Sequence, residues 1–119
     1  MRKPLAAAAV LAMTAVGLTA CGDDSSSAGS DGGATSVKIT IKNGKVTPNG
    51  DRVKAKVGEP ITLDIDADTS GEIHVHSTPE QEIEFEKGTS TKKLTIKKPG
   101  IVDVEDHALE QVIVQLQVS

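Results

Sequence analysis

From Val37 to the end of the chain, apolar side chains recur at every second position, with polar or charged ones between them. Val37, Ile39 and Ile41 alternate with Lys38, Thr40 and Lys42, and Val53, Ala55 and Val57 with Arg52, Lys54 and Lys56. Ile61, Leu63, Ile65 and Ala67 alternate with Thr62, Asp64, Asp66 and Asp68, and Ile73 and Val75 with Glu72, His74 and His76. The same pattern runs through Ile83 and Phe85, Leu94 and Ile96, Val102 and Val104, and then Val112, Val114, Leu116 and Val118. A period of two places all apolar members on one face of an extended chain, so each run reads as a half-buried strand. Asn43-Gly44, Asn49-Gly50, Gly58-Glu59-Pro60, Ser70-Gly71, Lys87-Gly88 and Pro99-Gly100 separate the runs with turn-forming residues. About eight short strands, each with one apolar face, must bury those faces against each other. This predicts an all-β fold, a Greek-key two-sheet sandwich over residues 37–119.

The segment before it has a different character. Met1-Arg2-Lys3 is a short basic start, Leu5 to Ala20 is an apolar, Ala-rich run, and the first acidic residue is Asp23. That is the form of a secretory signal, and the run falls short of the roughly 20 residues of a permanent membrane helix. Leu18-Thr19-Ala20-Cys21 resembles the bacterial lipobox. The resemblance implies that residues 1–20 are a lipoprotein signal peptide and that Cys21, once lipidated, is the mature N-terminus. Two or three acyl chains at about 0.8 kcal/mol per buried methylene hold a protein stably on a membrane. Residues 21–36 are then the lipidated cysteine and a linker of Gly, Ser and Asp without apolar periodicity, reaching on the order of 20 Å as a coil. The chain is thus expected at the cell membrane, lipid-anchored, on the extracytoplasmic face.

Composition narrows the function. The 119 residues include no Trp, no Tyr and one Phe, so no aromatic platform exists on which bases could stack. The formal net charge is −4, the wrong sign for neutralising phosphates, and loss of residues 1–20 takes Arg2 and Lys3 with it. Nucleic acid is therefore excluded as a partner, and charge does not hold the mature chain to anionic lipid. One cysteine makes no internal disulfide and no Cys-rich metal centre. Ser77 adjoins His76, but neighbouring strand residues point to opposite faces, and there is no nucleophile elbow, phosphate loop or His-Glu-x-x-His. The chain reads as a non-enzyme.

Charge and histidine coincide in one stretch. Glu59, Asp64, Asp66, Asp68, Glu72, Glu80, Glu82, Glu84 and Glu86 occur with no Lys or Arg among them. Such outward carboxylates either pair with Lys or Arg across strands or form an acidic patch that attracts cations or a basic partner protein. His74 and His76, two apart on one strand, project from the same face, and His107 follows the strand ending at Val104. Imidazole suits copper and zinc, and Glu105 or Asp106 beside His107 offers a carboxylate. His74, His76 and His107 are thus the candidate metal ligands.

Residues 37–119 resemble the cupredoxin-like domain of bacterial lipoproteins. The resemblance rests on Val57-Gly58-Glu59-Pro60-Ile61-Thr62-Leu63, on Glu72-Ile73-His74-Val75-His76, on Lys98 to His107 with its Pro99-Gly100, and on the final strand Gln111 to Val118. It implies that the first histidine strand and the loop after the Pro-Gly strand share one end of the sandwich, near His107. A type 1 copper centre requires a Cys thiolate and two His, usually with an axial Met. Asp106 stands about where the Cys would be, Leu109 where a His would follow, and no Met lies between Leu109 and Ser119. Ligand count excludes that centre. Two readings remain: a metal-free binding or accessory module at the envelope, and a module that binds or delivers Cu(II), or Zn(II), through the histidine cluster.

Overall fold

The computed structural model describes residues 34–119. The signal-peptide and Cys21 readings, and most of the linker, lie outside the described residues. The strands are β1 (Thr35–Lys42), β2 (Lys45–Thr47), β3 (Asp51–Ala55), β4 (Pro60–Ala67), β5 (Gly71–Val75), β6 (Gln81–Phe85), β7 (Gly88–Thr95), β8 (Gly100–Asp106) and β9 (Gln111–Val118). They form two sheets in the orders β2-β1-β4-β7 and β3-β9-β8-β5-β6. The two-sheet sandwich is as the alternation requires. β1 begins two residues before Val37, because Thr35 and Ser36 already pair with Ile61 and Thr62 of β4.

Both sheets are mixed. β1 runs parallel to β4 and β3 parallel to β9, while the other neighbours are antiparallel. The core is the set of inward members of the alternation: Ile39, Ile61, Leu63 and Ile65 from one sheet face Ile73, Val75, Val104, Val114 and Leu116 from the other, all essentially inaccessible to water. Burying such side chains stabilises by about 1.5–3 kcal/mol each before the entropy of ordering is subtracted. Phe85, the one aromatic, lies over Gly71, its direct partner across β5 and β6. A Cβ at Gly71 would stand 2.7 Å from Phe85 Cζ, so the ring occupies the space that a side chain there would need.

Three features depart from simple alternation. The first is β2, which pairs with β1 through the two-residue turn Asn43-Gly44. Both turn residues have positive φ, 54° and 71°, as a type I′ hairpin demands and as Asn-Gly supplies with least strain. Second, Val57 is exposed rather than inward, because β3 ends at Ala55 and the chain turns at Gly58, whose N–H donates to the Ile96 carbonyl. Third, Ile113 is fully buried although alternation turns it outward. Val104 pairs with Val114 and Glu105 with Val112, leaving Ile113 as the extra residue of a β-bulge. Its carbonyl accepts from the Gly50 N–H at 3.0 Å. The bulge turns both Ile113 and Val114 into the core.

Candidate functional site

β5 lies between β6 and β8, so its outward residues meet outward residues on both sides. Glu72 and His74 project from β5, and His76 follows at its end. Across on β6, Glu84 is directly opposite Glu72 and Glu82 directly opposite His74. Across on β8, Glu105 is opposite His74. The period of two fixes which side chains point outward, and the ladder register brings those from three strands together.

His74 is the centre of this face, its side chain 17% exposed. Nε2 lies 2.6 Å from Glu72 Oε1 and 3.9 Å from Glu82 Oε1, and Nδ1 lies 3.4 Å from Glu80 Oε1. The hydrogen bond to Glu72 raises the His74 pKa above the ordinary imidazole value; partial desolvation opposes this, and the charges of Glu72, Glu82 and Glu80 reinforce it. Below that pKa the ring is an imidazolium between carboxylates.

The sequence-predicted histidines divide. His107 reaches His74: the rings stack with centroids 4.2 Å apart and planes 21° apart, and the His107 N–H donates to the Glu72 carbonyl at 3.0 Å. Stacked rings have nearly parallel planes, so their nitrogen lone pairs do not converge on one ion. His76 stands apart, its centroid 6.3 Å from that of His74 and its plane inclined at 67°, and its Nε2 contacts Glu105 Oε2 at 3.0 Å. The donor atoms that do converge, all within 4.8 Å of one another, belong to Glu72, His74 and Glu82. Glu72 shares the outward face of β5 with His74 by alternation alone, whereas Glu82 was legible only as a member of an acidic run, since the register that places it beside His74 comes from pairing with β6.

The two candidate carboxylates also part company. Glu105 faces the histidines. Asp106 is 2% exposed and turned inward, following Val102 and Val104, and its Oδ1 accepts the Leu109 N–H at 2.9 Å. It closes the turn between β8 and β9. Ser77 is likewise structural: its hydroxyl donates to the Pro79 carbonyl and accepts from Gln81 Nε2.

The remaining charges differ between sheets. On the four-stranded sheet Lys42 pairs with Asp66 at 2.7 Å, which is the cross-strand neutralisation expected of outward charges. On the five-stranded sheet the ion pairs among the described residues are all between Glu and His.

No family model matches the chain, and no curated protein sequence matches it. Among solved structures, the chain is similar to a Cu(I) form of an amicyanin variant, at 14% identity and a TM-score of 0.52, covering 71% of this chain and 82% of that one. A purple cupredoxin from Nitrosopumilus maritimus matches at 16% identity and a TM-score of 0.51, over 71% of this chain and 99% of that one. The fold is cupredoxin-like. At these identities the likeness is one of fold, and the copper named in those structures is a property of those proteins.

A type 1 copper ion does not fit this cupredoxin-like chain. Residues 34–119 contain no cysteine to supply its thiolate, and Asp106, which the sequence resemblance sets about where that Cys would stand, is buried with its carboxylate accepting the Leu109 N–H. Leu109 offers no nitrogen ligand. The histidine face, on the outer surface of β5, β6 and β8, is a different donor set.

Proposed function

We propose that the protein is a lipid-anchored, extracytoplasmic binding or accessory module, built on a cupredoxin-like sandwich that carries no electron-transfer copper. The observation that carries this reading is that residues 34–119 hold no cysteine for a thiolate ligand, while Asp106, which the sequence resemblance sets about where that Cys would stand, turns its carboxylate inward to hold a turn. The anchor is the lipid on Cys21, supported by the lipobox resemblance of Leu18-Thr19-Ala20-Cys21. The module performs no covalent chemistry of its own. It presents the face of β5, β6 and β8, with its carboxylates and imidazoles, to a cation or a basic protein at the membrane surface.

Two measurements on the full chain test this. Fatty-acid labelling should be lost, and the protein released from the membrane fraction, in Cys21→Ala; label that survives the substitution overturns the anchor. Protein purified from membranes and exposed to copper should lack the intense thiolate-to-copper absorption of a blue centre. That band, with reversible one-electron redox, would overturn the module reading.

A further inference from the structure

We infer that Glu72, His74 and Glu82 form a binding site for one exchangeable divalent transition-metal ion, Cu(II) ahead of Zn(II), on the outer face of the five-stranded sheet. The inference rests on the module reading and deepens it by naming what this face binds.

The first support is geometric. One imidazole nitrogen and two carboxylate oxygens lie within 4.8 Å of one another, a span that a metal with ligand distances of about 2.0–2.2 Å can bridge after small side-chain rotations. The nitrogen donor is held: its ring stacks on His107, and the His107 amide is tied to the Glu72 carbonyl. The oxygen donors are freer, with side chains 29% exposed at Glu72 and 63% at Glu82. A fixed imidazole with adjustable carboxylates takes up an ion without refolding and leaves coordination positions open to solvent.

The second support is independent of the donor distances. Glu84 is the direct cross-strand partner of Glu72, a like-charge pairing that destabilises a sheet, and Glu80 approaches the same imidazole from the loop before β6. Lys or Thr at these positions would relieve the repulsion, as on the other sheet, where Asp66 faces Thr40 and Thr89 and is paired by Lys42. The strands instead gather negative charge around one imidazole. A bound cation turns that repulsion into attraction.

The donor types select the ion. An imidazole beside carboxylates suits Cu(II) and Zn(II), with Cu(II) the tighter by the general affinity order, whereas Cu(I) prefers thiolate or thioether, which this face lacks. Mg(II) and Ca(II) favour all-oxygen shells.

The test is a Cu(II) titration of the full chain, purified from membranes in detergent, read by calorimetry and electron paramagnetic resonance. One saturable ion per chain is expected, with nitrogen hyperfine structure. Glu72→Gln and Glu82→Gln should each weaken it on the order of tenfold or more, at least what loss of an outer-shell partner costs. His74→Ala should abolish the nitrogen coupling, while His76→Ala should leave the affinity within about twofold. Circular dichroism establishes that each variant is folded. No saturable binding, or binding that survives His74→Ala unchanged, overturns the site and leaves the module reading standing; an intense blue band overturns both.

Discussion

The His107 imidazole lies flat against that of His74, 4.2 Å away, and its backbone N–H is bonded to the carbonyl of Glu72. The loop after β8 is thereby fastened to β5 at the point where the carboxylates gather. Parallel planes at this distance make His107 a positioning group for His74 rather than a second ligand in the same geometry. His107→Ala should leave the fold intact and broaden the orientation of His74, read as lower order of its ring by NMR. An unchanged ring would show that the stack holds nothing.

The metal-free protein should titrate at His74 above the ordinary imidazole value, because Glu72 accepts its hydrogen bond and Glu82 and Glu80 add favourable charge. The folded pKa is raised over the unfolded one, so the group contributes stability that is fully present below the unfolded value and is lost as pH rises through the folded one. The difference in urea midpoint between wild type and His74→Gln should therefore be larger at about pH 5 than at about pH 9. In NMR titrations Glu72→Gln should move the His74 midpoint downward, and a midpoint unmoved by that change would contradict the assigned cause.

Asp106 is tested by a pair of substitutions. Asp106→Asn keeps an oxygen to accept the Leu109 N–H and should be tolerated, whereas Asp106→Ala leaves that turn open and should cost about 1–3 kcal/mol in urea unfolding. Equal stabilities for the two variants would remove the turn-closing role.

Gly71 faces Phe85 across β5 and β6, with the ring over the space a Cβ would take. Gly71→Ala sets a methyl group 2.7 Å from Phe85 Cζ and should destabilise by about 1–3 kcal/mol, with Phe85→Leu recovering part of the loss in the double variant. Additive effects of the two substitutions would exclude the clash as the cause.

The bulge in β9 reverses the expectation for two adjacent residues. Ile113→Ala should cost about 2–5 kcal/mol, as for any fully buried isoleucine, and Val112→Ala distinctly less, although strict alternation assigns the core position to Val112. The opposite ranking in chemical denaturation would place the bulge elsewhere.

Much of the fold was legible because period-two alternation is a local property: it assigns a side chain to a face whatever strand lies beside it. Val37 to Ile41, Ile61 to Ala67 and Ile73 to Val75 all behave in this way, and Asn43-Gly44 forms the turn its dipeptide favours. The presence of His74 and Glu72 on one outward face is likewise readable from position alone, whereas the mismatch of Asp106 and Leu109 to a blue-copper centre is what the family resemblance implies. Alternation assigns no partner strand. The parallel pairings of β1 with β4 and β3 with β9, the extra residue at Ile113, and the seating of Glu82 and Glu84 against His74 and Glu72 depend on long-range register, to which the local pattern is blind. The division of the charged neighbours of His107, by contrast, follows alternation, which carries the inward face of Val102 and Val104 on to Asp106 and leaves Glu105 turned to the histidines. Sequence by itself decided the sandwich, its faces and the types of donor available. The tertiary structure decided which donors meet, because Glu72 and His74 of β5 and Glu82 of β6 come together only once those two strands are paired.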